Sequence, residues 1–356
     1  MKKLLMMTAA CGLVMAAAPA HAEVELNLGG YFKGYGAFVD QDEATGFQTN
    51  DVDFIRDTEI HLGGETTLDN GLVVGAHFEF EVDGGDGTAV NESYVYFAGQ
   101  WGRVNFGSED GAGYLLQVAA PSADSNIDGI RQYVQPVNYG AMFGAGVTLP
   151  VPLDYDMNTA AKSDKITYLT PIMNGFQAGV SYTPDTETSV TGVGIVAGAP
   201  AVVTVPTTGF ASDLAGIGYD DVDDVFGETY EGAVRYEGQF DAVGVILGAG
   251  YAHSELESET PGLPVGDRTD DRKAWNVGAD FDIGAFGFGA AYKEDNYGEV
   301  STTAGGATTA DDEELWVVGA DYTTGAFKFG VSYYDAENTL GVAGLDTQRY
   351  SGGVTY

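Results

Sequence analysis

Cysteine occurs once in 356 residues, at Cys11, and lysine plus arginine number 15 against 53 aspartates and glutamates. A lone thiol excludes an intrachain disulfide framework. The shortage of positive charge leaves a net −38, which excludes a nucleic-acid surface and points to metal cations and cationic solutes as partners. Past residue 22 no stretch is long and apolar enough for a membrane-spanning helix. No strand-to-helix elbow exposes a nucleophile, so no Ser-His-Asp arrangement can be built. Glycine pairs such as Gly248-Ala249-Gly250 lie inside alternating segments, not between a strand and a helix, and are not nucleotide loops.

The N-terminus is set apart. Met1-Lys2-Lys3 is a basic start, Leu4 to Ala18 is apolar, and Ala20-His21-Ala22 is a small-x-small cleavage signal. Residues 1–22 are therefore expected to be a secretory signal peptide, with Glu23 the first mature residue. A lipoprotein signal ending at Cys11 fits poorly, because Thr8 stands where leucine is expected. Removing 1–22 takes Lys2 and Lys3 but no acid, which moves the net charge from −38 to −40. Residues 23–356 show no linker or break in composition and are read as a single domain.

Acidity alone would suggest disorder, but 21 Tyr, 18 Phe and 52 Gly within a 44% hydrophobic composition decide against it. These residues alternate. Val74, Ala76, Phe78, Phe80 and Val82 share one face, and Gly75, His77, Glu79, Glu81 and Asp83 the other; Trp275 to Ile283, Phe286 to Lys293 and Phe327 to Tyr334 repeat the pattern. Period two means strands with one apolar and one wet face. A soluble sandwich would alternate as well. Aromatics, however, recur at strand ends (Phe176 and Tyr182, Trp275, Tyr292, Trp316 and Tyr322, Phe327 and Tyr333), as the interfacial girdles of a membrane barrel do. Strands of about ten residues suit a tilted crossing of the bilayer, and a closed barrel is what satisfies every backbone group in lipid once helices are excluded.

The connections alternate in length. Short turns are expected at Leu68 to Gly71, Gly99 to Gly102, Met173 to Gly175, Gly238-Gln239, Gly284-Ala285 and Thr324-Gly325. Longer acidic or glycine-rich segments lie between them, at 39–53, 83–90, 110–163, 185–227, 254–271, 295–313 and 337–346. That is the short-turn, long-loop asymmetry of outer-membrane barrels. Fourteen strands are counted directly. Thr188 to Thr207 is open to two readings, a further hairpin turning at Ala197 to Pro200 or one long loop.

With these features in place the chain resembles the Gram-negative general porins of alphaproteobacterial type. The resemblance is carried by Arg56-Asp57-Thr58-Glu59-Ile60-His61 with Thr67 to Leu72, Glu92 to Phe97 with Gly102-Arg103-Val104, Lys165 to Pro171 with Gly175 to Tyr182, and the terminal Val354-Thr355-Tyr356. Tyr356 stands where the family usually ends in Phe. The resemblance implies an all-β, antiparallel transmembrane barrel of sixteen strands, the preferred count here. It implies a homotrimer and a long third loop, here 110–163, folded into the lumen. It further implies a water-filled outer-membrane channel for small hydrophilic solutes, with lipid and lipopolysaccharide around it. The loop's Leu115-Leu116, Val118 and Tyr133 to Phe143 are more apolar than a solvated loop needs, and a segment of that length without regular structure is unusual unless functional.

A channel of this kind works through the field at its constriction. The acidic candidates are Glu59, Glu79 and Glu81 on the wall and Glu109, Asp110, Asp124 and Asp128 in or beside the loop; the basic candidates are Lys33, Arg103 and Arg235. Acids on both wall and loop predict a preference for cations. Arg56 falls on the apolar phase, either to meet lipopolysaccharide phosphate or a subunit neighbour, or through a register irregularity. His61 and His77 lie on the wet face without a His-x-x-x-His partner or a carboxylate companion at ligand spacing, and are read as pore lining. Asp220-Asp221-Val222-Asp223-Asp224 lacks EF-hand spacing; it is open to loose Ca²⁺ binding or to being a solvated outer loop, and no other cofactor is expected. An enzymatic barrel needs a nucleophile and base at one rim, and an adhesive barrel needs a further domain. Neither is visible, which leaves a diffusion channel or a substrate-preferring one.

Overall fold

The computed structural model describes residues 24–38, 45–46, 48–82, 89–121, 155–186, 189–196, 199–206, 226–257, 270–298, 311–339 and 346–356. The first strands are β1 (Glu25–Phe38), β2 (Val52–Thr67), β3 (Val73–Glu81), β4 (Ala89–Gly99) and β5 (Gly102–Ser108). A single helical turn, α1 (Ala112–Leu115), opens the long connection to β6 (Asp164–Leu169) and β7 (Phe176–Thr183), which are followed by β8 (Ser189–Val196) and β9 (Ala199–Pro206). The remainder is β10 (Phe226–Phe240), β11 (Val243–Leu256), β12 (Arg272–Ile283), β13 (Phe286–Asp295), β14 (Glu313–Thr324), β15 (Phe327–Glu337) and β16 (Thr347–Thr355).

Fourteen of these strands form one antiparallel sheet in chain order, with β7 passing directly to β10; β8 and β9 pair only with each other. Sixteen strands are thus present among the described residues, but the wall holds the fourteen counted directly. The ambiguous segment is a hairpin standing outside the wall rather than two further staves. β1 and β16 are the ends of the sheet, and no ladder joins them among the described residues.

Alternation sets the faces. Leu28, Phe54, Val180, Val277, Phe288 and Val331 stand exposed on the outer face. Among the described residues no helix is long and apolar enough to cross a membrane. The aromatics form two bands. At the long-loop ends Tyr182 packs on Tyr230, Trp275–Tyr292–Trp316 form a chain, and Tyr333 meets Tyr350. At the short-turn ends Phe176 meets Tyr236, Phe286 meets Tyr322, and Phe327 meets Tyr356. From Phe286 to Tyr292 the strand rises about 20 Å, close to the apolar band of about 25 Å that such girdles flank.

The short turns follow local chemistry. Asn174 and Gly175 both have positive φ (53° and 87°), and Met173 and Phe176 exchange both backbone hydrogen bonds, a type I′ hairpin. The turn expected at Gly238-Gln239 lies later, at Asp241-Ala242. β10 continues to Phe240, which pairs with Val243, and Asp241 takes the positive φ of 54°. Arg56 lies exposed in an unbroken β1–β2 ladder opposite Gly34, so the register irregularity is not what places it on the outer phase.

Candidate functional site

The long third connection turns inward from the sheet. Its described parts, 109–121 and 155–163, lie against the inner face of the wall, where Leu116, Val118, Ala120, Tyr155 and Met157 are buried. They rest on small or apolar inward residues of β11 to β15, among them Ala252, Ala274, Ala291, Leu315 and Ala336. The approach is closest where the wall has no side chain. A Cβ at Gly278 would stand 1.8 Å from the Val118 carbonyl oxygen, and one at Gly319 2.0 Å from that of Pro121. Gly248 and Gly289, on β11 and β13, continue this seat beneath Val118 and Pro121. Burying the loop's apolar side here stabilises it by roughly 25 cal/mol per Å² removed from water.

Polar anchors fix the loop's register. The Ala112 amide donates to Ser181 Oγ (2.7 Å) and the Gly113 amide to Glu231 Oε2 (3.0 Å), while Thr159 Oγ1 donates to Glu231 Oε1 (3.3 Å). Glu231 is 5% exposed. Arg235 Nη1 donates to the Gln117 carbonyl (2.9 Å), and Gln117 Oε1 accepts from the Met157 amide (3.0 Å), which ties the two legs of the loop together. Arg235 also pairs with Glu237 at 2.7 Å.

The opposite wall, β2 to β5, is polar and charged. Arg103 Nε donates to Asn105 Oδ1 (2.6 Å), Asn105 Nδ2 to Glu109 Oε2 (2.7 Å), and the Arg103 guanidinium lies 3.9 Å from the centre of the Tyr96 ring. Burial pushes the Glu109 carboxyl up to about 7, against the bond from Asn105. Lys162 reaches Glu92 Oε1 (2.8 Å) and Asp110 Oδ2 (3.8 Å). Burial works against the Lys162 ammonium, but Asp110 and Glu92 outweigh it and hold its pKa above the ordinary value. Asp110 also accepts from Asn158 Nδ2 (3.0 Å). Lys165 donates to the carbonyls of Glu109, Ala161 and Ser163 and so is spent on pinning the loop's base.

The candidates are partly assembled. Glu59 and Glu79 lie together on β2 and β3, Arg103 and Glu109 meet through Asn105, and Lys162 joins Asp110 to Glu92. Arg235 is across the sheet holding the loop. Glu81 is exposed at the end of β3. Lys33 occupies the register opposite Asp57. Asp124, Asp128, the apolar run 133–143 and Asp220, Asp221, Asp223 and Asp224 lie outside the described residues. Glu92, Lys162 and Glu231 were missed. Glu231 sits at an ordinary period-two position, and its partners are more than 70 residues distant in sequence.

One expectation is overturned: His61 and His77 do have carboxylate companions. His61 Nε2 lies 2.9 Å from Glu59 Oε2, His61 Nδ1 3.7 Å from Glu79 Oε1, and His77 Nε2 2.9 Å from the same oxygen. Spacings of i, i+4 suit a helix. On a strand the same-face neighbours are i±2 and the cross-strand partner, and His61 is in register with Glu79. A bulge between Glu79 and Phe80 on the β3–β4 ladder also leaves Asn91 without a partner of its own in the register, and its amide reaches Glu59 Oε1 at 3.2 Å.

Comparison with known proteins agrees with this architecture. Residues 8–356 match a family model described as Gram-negative porin. The chain is similar to uncharacterised proteins of Rickettsia prowazekii (23% identity over 313 residues, 77% of this chain and 70% of that one) and Rickettsia typhi (24% over 314 residues, with the same coverage). In fold it is similar to Salmonella typhi OmpF, solved in complex with daunomycin: TM-score 0.53, 15% identity, 94% of this chain and 86% of that chain covered.

Proposed function

We propose that this chain, which belongs to the Gram-negative porin family, passes small hydrophilic solutes by passive diffusion, prefers cations, and works as a homotrimer. As an outer-membrane porin it is a channel rather than an enzyme. The preference is carried by one observation about the lumen charges: among the described residues, four of the bases there are tied down. Lys165 is spent on carbonyls, Arg235 on Gln117 and Glu237, Lys162 on Glu92 and Asp110, and Lys293 lies within 4 Å of Asp295 and Glu313. Inward positions on β2, β3 and β12 carry Glu59, Glu79, Asp280 and Asp282. Charges inside the sheet act on an ion at short range in a partly excluded dielectric, whereas those of the outer loops are screened over about 8 Å at physiological ionic strength.

Residues 1–22 are proposed to be removed on export, so that N-terminal sequencing of the outer-membrane form reads Glu23. Reconstitution into planar bilayers tests the channel and its assembly together. Stepwise insertions that close in three equal levels are expected. A protein that migrates as a heat-dissociable oligomer and yet gives no conductance contradicts the channel, and single-level closures contradict the trimer.

A further inference from the structure

We propose that His61, His77 and Glu79 form a binding site for a late first-row divalent cation, Zn²⁺ or Cu²⁺, on the inner wall between β2 and β3. The three side chains each offer a ligand atom, and these atoms all lie within 4.8 Å of one another. Tetrahedral zinc with ligands at about 2.1 Å needs donor separations of about 3.4 Å. His61 Nδ1 to Glu79 Oε1 is 3.7 Å and His77 Nε2 to Glu79 Oε1 is 2.9 Å, so shifts of about half an ångström at these contacts suffice. The strand register produces the cluster. His61 and Glu79 are direct cross-strand partners, and His77 is the next inward residue along β3.

The surroundings are those of a built site. When Nδ1 of His61 faces the cation, its Nε2 carries the proton, and Glu59 Oε2 lies 2.9 Å away to accept it. That is the carboxylate–histidine–metal relay that fixes tautomer and ring orientation. Glu59 is itself held by the Asn91 amide. The His77 ring packs 5.3 Å from the Tyr94 ring, and the His61 ring stands edge-on to it at 5.7 Å. Two imidazoles with one carboxylate suit Zn²⁺, Cu²⁺ or Ni²⁺, whereas Ca²⁺ and Mg²⁺ take all-oxygen sets. The side chains are 16–29% exposed, which leaves a fourth position open toward the lumen.

Binding to the folded, detergent-solubilised protein tests the site without reference to conduction. Isothermal titration with Zn²⁺ in excess Ca²⁺ is expected to show one tight site per chain, absent from the H61Q/H77Q variant and retained in H253Q. E59Q, which keeps all three ligands, is expected to weaken it about 10- to 100-fold. Cu²⁺ bound to the unaltered protein is expected to show two-nitrogen coupling by electron paramagnetic resonance, a readout that needs no variant to fold. Equal Zn²⁺ affinity in wild type and H61Q/H77Q, or a Cu²⁺ spectrum of oxygen ligands only, overturns the proposal and assigns binding to the acidic loops. If the channel reading also holds, micromolar Zn²⁺ lowers K⁺ conductance in wild type and not in H61Q/H77Q.

Discussion

The two halves of the inner wall do opposite jobs with the same backbone. Along β11 to β15 the inward residues beneath the loop include Gly248, Ala252, Ala274, Gly278, Gly289, Ala291, Leu315, Val317 and Gly319, and the loop lies on them. Along β2 to β5 they are Glu59, His61, His77, Glu79, Glu92, Tyr94, Tyr96 and Arg103, with no loop packed over β2 and β3 among the described residues. A strand shows its inward residues to whatever fills the lumen. Where that is protein the positions are small and apolar, as in any packed core. Where it is water and ions they are charged and cross-linked. The acids at the loop's edge, Glu109 and Asp110, sit where the two regimes meet.

The largest expected effect comes from the ion cluster at the outer edge of the covered half. Asp295 is fully buried and accepts from Arg272 Nε (3.0 Å) and Nη2 (2.6 Å), with Lys293 at 3.6 Å. Asp295→Ala leaves the buried Lys293 and the partly exposed Arg272 side by side with Glu313 3.8 Å from Lys293, and loss of one partner from a buried pair costs up to about 3–5 kcal/mol. The heat-modified mobility shift in detergent should move to a markedly lower temperature. An unchanged transition would mean that the cluster is solvated.

Next is the seat itself. Gly278→Leu places a side chain where the Val118 carbonyl lies, an overpacking that costs about 1–3 kcal/mol and should lift the loop. Single-channel conductance is expected to rise. Gly232→Leu is the control, because nothing lies within 4 Å of a Cβ there. Equal conductance in the two variants would show that the loop does not set the aperture. Glu231→Ala removes the acceptor for Gly113 and Thr159 and leaves a buried amide unsatisfied, worth about 1–3 kcal/mol. Faster proteolysis within 110–163 and noisier open-channel current would register the loss.

The faces and the alternation of loop lengths were legible in the sequence, because period two and turn chemistry are local; the inward course of the third loop was implied by the family resemblance and by the apolar residues of that loop. The seat was not. A glycine on the lipid face, such as Gly232, and one on the lumen face, such as Gly278, are the same letter; what distinguishes them is Val118, 160 residues away. The histidine cluster was overlooked for a simpler reason. His61 and Glu79 are joined by register, and register depends on the turn between β2 and β3 rather than on any spacing motif. The end of β10 was misplaced because Gly238-Gln239 looks like a turn, although Phe240 still has an outward role beside Tyr236.

The smallest expected effect is a titration. The folded pKa of Glu109, about 7, lies above its ordinary 4.5, so its proton favours the folded state. That stabilisation is complete below about pH 4.5 and is lost as pH rises through 7. The same deprotonation adds a negative charge near Glu92, Arg103, Asp110 and Lys165. Cation preference should therefore increase modestly between pH 6 and 8, and the increment should be smaller in Glu109→Gln. An identical pH profile in the variant would place the titration elsewhere.

The most direct test of the cation-preferring lumen is the zero-current potential of the reconstituted channel in a KCl gradient, with wild type measured beside Glu59→Gln/Glu79→Gln. A sign marking K⁺ as the more permeant ion is expected, with a smaller magnitude in the double variant. Chloride preference in the wild type, or an unchanged potential in the variant, would contradict a field set by the acids of the open wall.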